Sequence, residues 1–75
     1  MNNIRRKALK EALDYIEKAR LIVEEIAVDE QDSFDNLPEG LQMSERGEQM
    51  ELNASNLDEA NDILGEVIDT IWEMI

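Results

Sequence analysis

Two segments of this chain repeat apolar residues in steps of three and four, and a stretch between them does not. In the first segment Leu9, Ala12, Ile16, Ala19, Val23 and Ile26 follow that step. The alternation keeps side chains on one helical face and is the seam pattern of a coiled coil. Leu13, Tyr15 and Ile22 widen the stripe. No Gly or Pro interrupts residues 1–32, and Asn2 or Asn3 is placed to cap the start. The pattern predicts a helix from about residue 3 to about residue 31.

The second segment is more regular. Met50, Ala54, Leu57, Asn61, Leu64, Ile68, Ile71 and Ile75 alternate steps of four and three without a break. A second seam of Ala60, Ile63, Val67 and Met74 runs beside the first. Ser44 is an expected N-cap, with Glu45 and Glu48 in the first turn. Gly47 weakens that turn by up to about 1 kcal/mol relative to Ala. Asn53, Ser55 and Asn56 lower helix propensity, and Ser55 with Asp58 offers a later start. The seam keeps its phase through this cluster, so one continuous helix over about 44–75 is expected.

Residues 33–49 hold the only Pro, the only Phe and two of the three Gly. Leu37 precedes Pro38 and is pushed toward extended backbone. Pro38, Glu39 and Gly40 are expected to form a single turn, with Gly40 free to take positive φ. Phe34, Leu37 and Leu41 are expected to fold back and close the hairpin end. The predicted architecture is all-α: a two-helix antiparallel hairpin forming a single domain over residues 1–75. Two adjacent seams on the second helix exceed what one antiparallel partner covers. A homo-oligomeric helical bundle follows, with Leu57, Asn61, Leu64, Ile68, Ile71, Trp72 and Ile75 at the subunit interface. Asn61, a polar residue on the seam, is expected to set register.

Charge is uneven along the chain. Seven Lys and Arg stand against 19 Asp and Glu, a net of −12. Residues 1–20 carry six bases and three acids, a net of +3; residues 21–75 carry one base and sixteen acids, a net of −15. In the first helix this distribution opposes the helix dipole, so it points to packing or binding rather than to helix stability. The balance argues against direct nucleic-acid binding, which needs clustered bases. It suits an acidic surface that occupies a basic site on another protein, and it also serves solubility.

Catalytic chemistry finds little here. There is no Cys and no His, and Ser33, Ser44 and Ser55 have no adjacent base. Glu48 with Glu51 and Glu66 with Asp69 superficially match the paired carboxylates of helical nucleotide pyrophosphohydrolases. Both pairs fall on one predicted helix, about 27 Å apart at 1.5 Å per residue. No catalytic residue, no metal and no cofactor is therefore expected. No apolar window reaches the roughly 18 residues of a membrane span. No long apolar run follows the bases at the start of the chain, so no signal peptide is expected. These features, with the absence of Cys, suit a soluble protein of a reducing cytoplasm.

Arg46 is the one base after Arg20 and sits among Glu45, Glu48 and Glu51. One reading is a local ion pair that ties the helix start to the acidic end of the first helix. The other is an anion site: a helix N-terminus offers free N–H groups, and Arg adds a planar fork suited to phosphate. On that reading Arg5, Arg6, Lys7 and Lys10 of one subunit approach Arg46 and Ser44 of another. Phe34, Tyr15 or Trp72 would then stack on a ligand.

The run from Phe34 to Gln42, Phe-Asp-Asn-Leu-Pro-Glu-Gly-Leu-Gln, and Ser44-Glu-Arg-Gly-Glu48 lie between two acidic helices. In this the chain resembles a family of small uncharacterised proteins of tailed bacteriophages and prophages. The resemblance covers most of the chain and is specific across about residues 33–51. It implies a helical hairpin and a phage protein in the cytoplasm of an infected bacterial cell, and it carries over no functional residue. It leads to the expectation of a non-enzymatic counter-defence protein. One form is a homo-oligomeric sponge that sequesters a small anionic, nucleotide-type immune signal. The alternatives are an acidic inhibitor or DNA mimic that blocks a basic site on a host protein, and a small structural or assembly protein.

Overall fold

The computed structural model describes residues 1–75 as three helices: α1 (Asn3–Asp35), α2 (Glu39–Gln42) and α3 (Glu45–Met74). α1 and α3 pack against each other as an antiparallel pair, and α2 forms the connector. The resulting rod spans 58 × 15 × 12 Å between Cα atoms.

Local chemistry sets each boundary. The backbone N–H of Arg5 donates to Asn2 Oδ1 at 2.8 Å, which caps α1. α1 then runs about one turn beyond its predicted end. The reason is Phe34: it lies two helical turns after buried Ala27, and its half-burial on the same line holds the helix together to Asp35. The approach to Pro38 ends it, since a residue before Pro disfavours helical backbone. The N–H of Leu37 donates to the Phe34 carbonyl at 3.0 Å. Gln42 Nε2 donates back to that same carbonyl at 3.2 Å, so α2 supplies a cap for the end of α1.

α3 starts as its sequence predicts. Ser44 is the N-cap, with its Oγ accepting from the Gly47 N–H at 3.3 Å. The Ser44 hydroxyl also donates to the Leu41 carbonyl, which ties α2 to the start of α3.

Two glycine expectations change. Gly40 does not take positive φ; it lies within α2, and open space surrounds it. Gly47, read from sequence as a weak point, is buried because the first turn of α3 presses on the connector. A Cβ on Gly47 would stand 2.5 Å from the Leu41 carbonyl oxygen and closer still to that of Gln42. Only glycine fits that approach.

The α3 seam is the predicted one: Met50 through Ile75 are buried or half-buried at every step, with Ala54 and Ile68 the most enclosed. The α1 seam is shifted. Leu9, Leu13, Ile16, Arg20, Val23, Ala27, Glu30 and Phe34 turn inward, whereas Ala19 and Ile26 are exposed. The apolar stripe of α1 is wider than one helix can cover, and α3 takes its Leu13–Ala27 side. Arg20 and Glu30 enter the seam because long side chains lay their methylenes on a neighbour and keep the charge outside. The Arg20 guanidinium rests over Gly65, where a Cβ would meet it at 3.0 Å. Beside it Asn61 is half-buried, with its Oδ1 lacking a hydrogen-bond partner. Leu37 is half-buried at the hairpin end as expected; Phe34 is half-buried too, but as part of the α1 seam rather than of a loop, and Leu41 stays exposed, as does Met43 at 84%.

Candidate functional site

The candidate surface is built from the residues that flank the two seams. Each α-helical residue is rotated about 100° from the next. The residue before a seam position therefore points to one side of the hairpin, and the residue after it to the other. On α3 the preceding positions are Gln49, Asn53, Asn56, Ala60, Ile63, Val67 and Thr70, and none is charged. The following positions are Glu51, Ser55, Asp58, Asp62, Gly65, Asp69 and Trp72, and four of these seven are acids. On α1 the positions before the seam are Ala8, Ala12, Tyr15, Ala19, Ile22 and Ile26, without charge, followed toward the connector by Asp29 and Ser33. Those after it include Lys10, Asp14, Glu17 and Glu24.

The same rotation sense in two antiparallel helices leads to the same side of the pair. The hairpin therefore has one uncharged face shared by α1 and α3, and an opposite face dominated by carboxylates. Ile22 is 58% exposed, Ile63 51% and Ile26 48% on the uncharged face. Tyr15 stands at its rim: its hydroxyl donates to Glu11 at 3.4 Å, and the Lys18 ammonium lies 6.0 Å from the ring centroid.

Most of the residues expected at a subunit interface also line the contact between α1 and α3. Leu57, Asn61, Leu64, Ile68, Ile71 and Ile75 belong to the seam against α1 and are buried or half-buried within one chain. Trp72 alone of that group is largely exposed. The second α3 seam, with Ile63, Val67 and Met74, supplies the open surface instead.

Within one chain the expected anion-site residues lie at opposite ends, and the expected site joined them only between subunits. Phe34, Ser44 and Arg46 lie at the connector end, and Arg5, Arg6 and Lys10 lie near the start of α1. Twenty-five residues of helix separate Lys10 from Asp35, which is about 38 Å at 1.5 Å per residue. Arg46 is exposed, and the side-chain hydrogen bonds that close the connector come from Gln42 and Ser44. Phe34 is half-buried on the seam.

Two surface hollows occur, and acids line both. One is formed by Glu48, Glu51, Leu52 and Ser55 on α3, the other by Leu21, Glu24, Glu25, Val28 and Asp29 on α1. No group of three or more carboxylates is placed to hold a metal ion. The Glu48–Glu51 and Glu66–Asp69 pairs sit apart along α3. No helix is long and apolar enough to cross a membrane.

Charge also divides the rod along its length. Residues 1–20 and 61–75, at the open end, carry six bases and seven acids, a net of −1. Residues 21–60, at the connector end, carry one base and twelve acids, a net of −11. Pattern reading had located the uneven charge but not the faces, because the shift of the α1 seam decides which apolar residues remain outside. No family model, curated protein or solved structure matches the chain.

Proposed function

We propose that this chain is a non-enzymatic protein-binding module that assembles as a homo-oligomer and presents carboxylates to a basic surface of a partner protein. The observation that carries this reading is the net charge of −11 on residues 21–60, with acids lining both hollows of the rod. A field of that sign and density steers a basic partner toward the rod and repels phosphate. The same field weighs against sequestration of a small anion. Glu45, Glu48 and Glu51 surround Arg46 in sequence, and within one chain the other bases of that site lie at the far end of the rod, so only a second subunit brings them near. The resemblance to small phage proteins makes a host protein the natural partner, blocked at a site that ordinarily receives a polyanion.

The test is affinity capture from a lysate of the cell that makes the protein, with Glu24→Gln, Glu25→Gln, Asp58→Asn and Asp62→Asn combined in one variant. The wild type should retain a basic protein, released as salt rises, because exposed charge interactions are screened over about 8 Å at physiological ionic strength. The neutralised variant should lose that protein while keeping its helicity and oligomeric state. Arg46→Ala should retain it. A bound nucleotide that Arg46→Ala releases would instead establish the sequestering function.

A further inference from the structure

The rod is under-covered. Its accessible surface is 5773 Å² for a mass of 8.6 kDa. A folded monomer of that mass exposes about 4,700 Å² by the usual surface scaling. The excess of roughly 1,100 Å² is comparable to the ~800 Å² that one partner contributes to a standard interface. Five of 75 residues are buried, and Ile22, Ile26, Ile63, Val67 and Met74 stand open on the uncharged face.

We infer that a second copy of this chain covers the uncharged face, and that the two rods lie antiparallel. This deepens the assembly part of the proposed function and is independent of which partner the acids meet. Three observations select the occupant and its direction. First, the face carries no charge from Ala8 to Ile26 on α1 or from Gln49 to Met74 on α3, in a chain in which 35% of residues are charged. A basic partner would find nothing there to pair with, whereas an identical face is self-complementary in apolar character. Second, stacking the rods in parallel would set −11 against −11 at one end, whereas the antiparallel arrangement sets each −11 half against a −1 half. Coulomb repulsion follows the product of the charges and favours the antiparallel dimer. It also lays the basic start of α1 over the acidic end of α1 in the other copy. Third, the midpoint of α1 (Asn3–Asp35) is Ala19, and the centre of α3 (Glu45–Met74) falls at Glu59–Ala60. A two-fold axis across the rod passes these points, and Ala19 and Ala60 let the two backbones approach where each helix crosses its own copy. Tyr15 then meets Ile22 of the second copy.

The chain has no Cys, so single-cysteine variants report the geometry directly. A disulfide needs Cα atoms roughly 4.4–6.8 Å apart. Ala19→Cys should link to itself across the axis under mild oxidation, and Asp62→Cys on the acidic face should stay unlinked. A mixture of Ile4→Cys and Ser33→Cys should link the two different chains, since these positions are related by the same axis. Sedimentation of the wild type should give a dimer, and Val67→Glu a helical monomer. A wild-type monomer overturns the inference, whatever else then fills the face. A dimer that links through Asp62→Cys assigns the wrong face, and one in which Ala19→Cys stays unlinked overturns the direction. Loss of partner capture with intact Ala19→Cys linkage would fault the proposed function alone.

Discussion

Val67, Ile68 and Asp69 are neighbours in sequence and occupy three different environments. Ile68 is 4% exposed against α1 and Val67 39% on the uncharged face, while Asp69 is exposed among carboxylates. The two flanking positions share the same helix, the same propensity and the same distance from the seam. They differ in what should lie beyond them: a second apolar surface on one side, water or a basic partner on the other. A helix that needed only one neighbour would carry polar residues on both sides of its seam. The asymmetry is repeated around Ile22, Val23 and Glu24 on α1, although Leu21, Val28 and Trp72 stand exposed on the acidic side.

Substitutions that reverse this asymmetry have graded consequences. Val67→Glu places two carboxylates in the shared face of a dimer and should raise its dissociation constant about 1,000-fold, or ~4 kcal/mol, measured by sedimentation equilibrium. Ile68→Ala empties the seam and should cost about 3 kcal/mol of folding stability, read from the urea midpoint. Gly47→Ala drives a methyl into the Leu41 and Gln42 carbonyls and should cost about 2 kcal/mol, with loss of amide protection at the connector in hydrogen exchange. Ser44→Ala removes the cap on the Gly47 N–H and should cost about 1 kcal/mol in the same denaturation assay. Asp69→Asn should change stability by less than ~0.5 kcal/mol and leave the dimer intact, because it relieves repulsion on a solvated face.

The elements of this fold were largely legible in the sequence, since both caps and the whole α3 seam follow from short-range rules. Asn2 and Ser44 each accept the N–H that a capping residue should. The α1 seam was harder, for a physical reason. Its apolar stripe spans two faces, and periodicity alone does not say which side the partner helix takes. Arg20 and Glu30 read as outward residues, yet their aliphatic stems line the interior. Two connector features depend on tertiary contact. Gly47 is required by carbonyls that precede it by five and six residues, and Gln42 donates to a carbonyl eight residues earlier. Within one chain a long helix separates the members of the expected anion site, so Arg5, Arg6 and Lys10 meet Arg46 only across two subunits, as that reading supposed.

The faces show themselves only when the seam is placed correctly. Moving the α1 seam from Ala19 and Ile26 to Arg20 and Ala27 turns Tyr15, Ala19, Ile22 and Ile26 into one continuous uncharged line. Leu57, Leu64 and Ile71 line the hairpin seam, and Ile63 and Val67 remain open beside it.

Native mass spectrometry of the wild type reads subunit number and bound ligand together. The antiparallel dimer gives a mass of ~17 kDa, twice the 8.6 kDa of one chain, without a bound nucleotide. A lone 8.6 kDa chain, or an assembly that carries a nucleotide mass, would contradict it.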